Sequence, residues 1–395
     1  MSVRHDVVIV GAGPAGCVMA ARLSQRPDCR VLLLEAGTDP GLLSADVVAA
    51  RTRGAEATPY RLGRGVGGGS AVNAMIGMWG VPADYDRWER DLGCAGWSWA
   101  DVRPVFASLP VPLTHVPQAE WGDVDRSLVD AALGAGHAFD TDYNRAGSIG
   151  VGPAWLTRRN GRRASIDDVY LRPARTRPNL TVRPDTAVDH LLLDRATVGG
   201  VLTTDGEVIE AGEVIVCAGA IQSPLLLLRS GIDHPAIGHG LKDHVSASIT
   251  LELRQPADVG GIGSATLLRW SSTTEEADLQ LLPLNHVGVA GYGALMAAVM
   301  SAHSSGTVGV GGDGAPLVRF DLLDDERDRT RLREAFRHMA ALTDTEPFQR
   351  IARGVYVDSI GTPLAALADD DRSLDEWLAA HVGDYVHAGG TCRMG

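Results

Sequence analysis

At 395 residues and 41.7 kDa, the chain has room for about two or three structural units. Its composition, 45% hydrophobic and 22% charged, supplies a core and excludes intrinsic disorder, and no stretch of about 18 uncharged apolar residues marks an integral membrane segment. The formal net charge of −13 repels nucleic acid and anionic lipid, which removes both as default partners.

In chain order, Asp6 to Val10 reads as a short buried strand and Gly11-Ala12-Gly13-Pro14-Ala15-Gly16 as a tight turn. Cys17 to Ser24 reads as a helix with Val18, Met19 and Leu23 spaced to pack on a sheet. Arg30 to Leu34 is a second buried strand ending at Glu35, which completes a βαβ unit. A glycine-dense loop follows at 63–80. Residues 82–135 read as mostly helical and carry Trp88, Trp97, Trp99 and Trp121. With Trp79, the first three of these form an aromatic set that could line a pocket and by default is expected in the core. Short strands are expected at 180–182, 187–193, 200–203 and 213–217, then a helix from Ser223 to Arg229. Alternating segments over 245–320 predict an antiparallel sheet, and amphipathic helices follow at 324–346 and 370–381. The five cysteines are far apart and include no C-x-x-C, so neither a disulfide framework nor a zinc site is expected. A reduced, cytoplasmic compartment fits that usage. The apolar run Val7 to Val10 is too short for a signal peptide.

Gly11, Gly13 and Gly16 form G-x-G-x-x-G between the first strand and the helix. The first glycine permits the turn, the second lets a pyrophosphate approach the backbone, and the third lets helix and strand pack closely. The helix N-terminus is then placed to hold phosphate charge. Glu35, at the end of the second strand, is placed to accept hydrogen bonds from a ribose hydroxyl pair. These features predict dinucleotide binding, with Ala12, Pro14 and Ala15 in the turn. They do not separate FAD from NAD, although the N-terminal placement and the run Glu35-Ala36-Gly37 lean toward FAD. A second glycine-rich stretch, Arg64 to Asn73, can lie flat against a planar ring and offer it amides.

These segments together resemble the glucose–methanol–choline (GMC) oxidoreductase family. The resemblance continues through Asn73-Ala74-Met75-Ile76, Pro82 to Asp86, Gly96 to Trp99, Asp142-Tyr143-Asn144 and Leu171-Arg172-Pro173. It also takes in Gly219 to Ile232, Leu241-Lys242-Asp243-His244 and the closing run His387 to Gly395. It implies an α/β protein: a Rossmann-like FAD-binding domain, plus a substrate domain with an antiparallel sheet and helices. The FAD domain is expected to be discontinuous (1–80, 140–240 and 382–395), with the substrate domain at 81–139 and 241–381. It further implies FAD as cofactor and oxidation of an alcohol by hydride transfer to the flavin. Val66, Gly68, Ser70, Asn73, Ala74, Met75 and Ile76 would lie along the flavin, and Val188 would contact the adenine through its backbone. Some members attach flavin covalently through a His where this chain has Val72, so FAD is expected to be non-covalent.

By the same resemblance His387 is the expected catalytic base, since a neutral imidazole near pH 7 can accept the hydroxyl proton. His244 is expected to be structural. The partner implied is a small-molecule alcohol, with no nucleic acid; the sequence does not choose between oxidase and dehydrogenase, and a quinone or protein electron acceptor is favoured slightly because no feature marks oxygen use. The chain also departs from the family pattern. Gly77 stands where an aromatic is usual, and the substrate domain is short. Family members continue past the position of Gly395 to a second catalytic His or Asn. A catalytically impaired flavin-binding fragment is therefore the alternative expectation, and a lyase on the same scaffold is a third.

Overall fold

In the computed structural model, the described residues are 4–195, 197–257, 261–312, 314–358, 361–364, 367 and 370–395. Two six-stranded sheets organise them. The first has the order Leu180–Arg183, Val31–Leu34, His5–Val10, Val208–Val216, Thr197–Thr203, Val188–Asp194. Its first four strands are parallel, and the last two are added antiparallel. His5–Val10 and Val31–Leu34 are near-continuous apolar runs because both of their faces are covered. Val7, Ile9, Val31 and Leu33 pack with Cys17, Ala20 and Ala21 of the helix Pro14–Leu23. Val8, Val10, Leu32 and Leu34 share the other face with Leu226 of the helix Gly219–Arg229.

Both helices begin earlier than the periodicity predicts. Pro14 suits the first helical turn, where a missing N–H costs nothing. Pro224, in contrast, lies inside its helix. Having no N–H, it leaves the Ala220 carbonyl four residues back without its helical donor.

The second sheet has the order Ala352–Tyr356, Val245–Leu253, Tyr292–Val299, Leu279–Leu284, Thr266–Trp270, Gly150–Pro153, antiparallel throughout. It takes in Gly150–Pro153 from the stretch that the sequence division gives to the first domain. The helix Glu326–Thr343 lies on this sheet through Leu332, Ala335, Phe336, Met339 and Ala340, a helical repeat of buried residues. The helix Asp123–Gly134 is tied to it by the buried Asp125 carboxylate, which accepts from Ala265 N and Thr266 N at 2.9 Å each. A hairpin of Leu42–Ala49 and Thr58–Arg64, which the periodicity does not signal, leads into the second glycine loop. No helix among the described residues is long and apolar enough to cross a membrane.

Candidate active site

The carboxyl ends of the four parallel strands converge on the Gly11–Gly16 turn, the edge where open α/β sheets bind ligands. A Cβ on Gly16 would overlap the Gly11 carbonyl, whereas a Cβ on Gly13 would meet nothing. Gly16 is thus needed for packing, and Gly13 faces open space. The helix that follows has no side-chain cap and no acidic residue in its first turn, so its leading amides are left for an anion.

Glu35 is buried and accepts three backbone N–H groups: Ala12 (2.7 Å), Gly37 (2.9 Å) and Gly65 (3.0 Å). An ionised carboxylate offers about four acceptor positions, so about one remains open. Glu35 thus also fastens the turn to the second glycine loop, which the sequence does not reveal. That loop crosses the turn, with Gly67 N donating to Ala12 O at 2.8 Å. Val66 is buried beneath it. Thr186 N donates to Glu35 O at 2.8 Å, and Val188 opens its strand two residues later, close to the same edge.

Further along, Ser70 Oγ donates to Gly67 O and accepts from Ile166 N. Arg163 holds Asn73, donating to its carboxamide and carbonyl oxygens at 2.6 Å each. This arginine escapes sequence reasoning, which has no means of pairing positions 90 apart. Ala74 and Met75 turn the chain, Met75 adopting the left-handed region (φ 65°), and Ile76 bridges to Leu156. At Gly77, an added Cβ would strike Leu113 and Thr157, so those side chains fill the place of the aromatic the family pattern leads one to expect there.

His387 lies on a segment laid along residues 237–246, with bridges Ser246↔Gly383, Lys242↔Gly389 and Ile237↔Cys392. Thr391, buried, donates its hydroxyl to Ala220 O, the carbonyl left free by Pro224. His387 is exposed. It stands edge-on to His244 and Tyr385, with ring centroids 5.2 Å away in both cases. The surrounding protein holds its pKa below the ordinary imidazole value by desolvation. Burial, with His387 adding repulsion, pushes His244 down to about 4. Beneath them Asp243 is buried, and burial pushes its carboxyl up to about 6. Tyr385, whose pKa burial raises, receives a hydrogen bond at its hydroxyl from Gln280 at 2.9 Å. His244, expected to be structural, adjoins the candidate base. Gln280, Tyr385 and Tyr60 belong to the same cluster and carry no local sequence signal.

Apart from this cluster lies a cleft of about 1040 Å³ walled by Trp79, Trp99, Trp155, Leu113 and Arg103. The aromatic set expected in the core is in fact half-exposed: Trp97 is 45% accessible, and Trp79 and Trp99 form cleft wall. Trp88 and Trp99 belong to two short helices, Pro82–Leu92 and Trp99–Ser108, that have no fully buried residue, and Trp79 and Trp97 lie in the segments just before them.

Comparison with known proteins decides the family. Models described as GMC oxidoreductase match residues 5–246 and 302–395. The chain belongs to the GMC oxidoreductase family. It is 32% identical to 5-(hydroxymethyl)furfural oxidase of Methylovorus sp. (strain MP688), over 99% of this chain and 88% of that protein. It is 28% identical to an oxygen-dependent choline dehydrogenase of Pectobacterium atrosepticum, over 99% and 85%. The crystal structure of pyridoxine 4-oxidase from Mesorbium loti superposes with a TM-score of 0.87 at 26% identity, covering 99% of this chain and 89% of that one. This GMC chain thus shares both fold and family with enzymes named as oxidases and dehydrogenases.

Proposed function

We propose that this GMC chain is an FAD-dependent oxidoreductase acting on the CH–OH group of a small alcohol, with His387 as the general base. The observation that carries the reading is the Thr391–Ala220 contact. It ties the His387 segment to the turn after Val208–Val216, at the edge of the first sheet that holds the open Gly13 turn.

The residues present fit FAD. Gly11, Ala12, Gly13, Pro14, Ala15 and Gly16 would hold the pyrophosphate, the remaining acceptor of Glu35 with Ala36 the ribose, and the Val188 backbone the adenine. Val66, Gly68, Ser70, Asn73, Ala74, Met75 and Ile76 would line the flavin. When bound, FAD supplies the hydride acceptor. His387 would accept the hydroxyl proton on an imidazole nitrogen, and its lowered pKa keeps that nitrogen free at neutral pH. His244, also neutral at that pH, places no competing cation beside it.

The visible spectrum of the purified chain, followed by anaerobic addition of alcohols, tests this reading. An oxidised-flavin spectrum bleached by an alcohol supports it; a flavin-loaded chain that no alcohol bleaches, including 5-(hydroxymethyl)furfural, choline and pyridoxine, overturns it. Acid precipitation should leave the flavin in the supernatant, as expected with Val72 at the attachment position. Reoxidation by air or by a soluble quinone then separates oxidase from dehydrogenase behaviour.

A further inference from the structure

The Leu241-Lys242-Asp243-His244 motif has no assigned task in the reading above, yet its Asp243 is where the candidate base is anchored. Asp243 Oδ1 accepts the backbone N–H groups of His244 (2.7 Å), His387 (3.1 Å) and Tyr385 (3.2 Å). Its Oδ2 accepts the Tyr60 hydroxyl at 2.8 Å and shares the His387 N–H at 3.1 Å. Tyr60 in turn accepts the Ala388 N–H at 3.2 Å. The main chain on both sides of the His387 imidazole is thus held by one carboxylate and the phenol it orients.

We propose that Asp243 is the positioning residue of His387, fixing the backbone from which the imidazole reaches the reacting hydroxyl. All four groups that meet the carboxylate are neutral donors. Only an acceptor on both oxygens satisfies them at once, and a carboxylate is the side chain that supplies it. Asp243 is buried, as is Tyr60, so water cannot stand in for a lost bond. Asn at this position has the same shape but carries one oxygen and one N–H₂. That N–H₂ would face either the Tyr60 hydroxyl or the cluster of amides. The 384–388 backbone would shift to relieve the donor–donor contact. A displacement of about 1 Å at a reacting group costs about 100-fold in rate.

The inference rests on the reading of His387 as base, and the experiment separates the two. Asp243→Asn, Tyr60→Phe and His387→Gln are made in the full flavin-loaded chain. Turnover is measured with the alcohol that bleaches the flavin best. The His387 imidazole is followed by NMR of Cε1-labelled histidine, its signal assigned by its loss in H387Q. D243N is expected to keep its flavin, lose about 100-fold in kcat and change KM by less than about 3-fold. Its His387 resonance should broaden or split. Y60F should show the same changes at a smaller scale, about 5-fold in kcat. A folded D243N with kcat within about 3-fold of wild type and an unchanged His387 resonance overturns the proposal. If D243N fails to fold, Y60F decides by the same two readouts. Full turnover by H387Q would instead overturn the base assignment. The resonance then still decides whether Asp243 holds His387.

Discussion

At His387, desolvation by the surrounding protein and proton chemistry make opposite demands. Desolvation depresses the pKa, which keeps the imidazole unprotonated, but also weakens it as a base. The acid limb of kcat/KM reports this balance together with protonation of Asp243 at about 6, which would turn one of its acceptor oxygens into a donor. It should fall below the ordinary imidazole value of about 6.5, with activity constant from there to neutral pH. Replacing His387 with Gln should lower kcat by about 10²–10⁴-fold and remove the limb. A limb midpoint clearly above 6.5, measured across pH 4.5 to 8, would contradict the assignment. At the other end of the site, Gly13 and Gly16 make a paired test. Gly13→Ala adds a methyl to open space, so the apo chain should keep its Tm while flavin retention falls. Gly16→Ala drives the methyl into the Gly11 carbonyl, so Tm itself should drop. Equal effects on flavin-free stability would show that the two glycines do not divide these tasks.

Among the elements, the helix Gly219–Arg229 shows how a sequence feature becomes a tertiary contact. Pro224 withholds an N–H from Ala220 O, and Thr391, 171 residues away in sequence, supplies a hydroxyl in its place. Thr391→Val should cost roughly 1–3 kcal/mol, because the carbonyl is then left without a donor. In a Pro224→Ala background, which restores the helical N–H, the same change should cost distinctly less. A double-mutant cycle by urea denaturation that finds the two costs equal would refute the exchange. The example also marks what could be read in advance. The parallel strands, the glycine turn and Glu35 were legible because apolar runs and G-x-G-x-x-G are local signals. The antiparallel character of 245–320 was legible from alternation. The Thr391 contact, the Arg163–Asn73 pairing and the assembly of Tyr60, Asp243, Gln280 and Tyr385 around His387 were not. Each joins residues whose spacing carries no period, and only closure of the fold brings them together. The partial exposure of the tryptophans at 79, 97 and 99 was not legible, because hydrophobicity signals burial but not which segment lies at the rim.

Across the whole molecule, buried titratable groups set how stability responds to acid. His244 has a folded pKa of about 4 against about 6.5 unfolded, so the unfolded state binds more protons between those values and stability falls as pH drops. Asp243 works the other way. Its folded value of about 6 exceeds the unfolded 3.8, so the native state binds the extra proton and stability rises as pH drops across that window. The two shifts are similar in size and nearly cancel. A separate contribution comes from the pair His137 and His338, whose Nε2 atoms lie 2.8 Å apart beside Trp270. Burial, with repulsion from His137, pushes His338 to about 4, and burial lowers His137 as well. One proton can be shared across this contact, but charging both rings sets donor against donor and costs desolvation, which loosens the helix Glu326–Thr343 from the turn after the helix Asp123–Gly134. Stability should therefore fall between pH 6.5 and 4.5, His338 contributing roughly 1–3 kcal/mol of that loss. His338→Gln keeps a hydrogen-bonding side chain but cannot titrate. Its Tm should match wild type at pH 7.5 and exceed it at pH 4.5. A parallel decline of both proteins over that range would move the acid sensitivity to other groups.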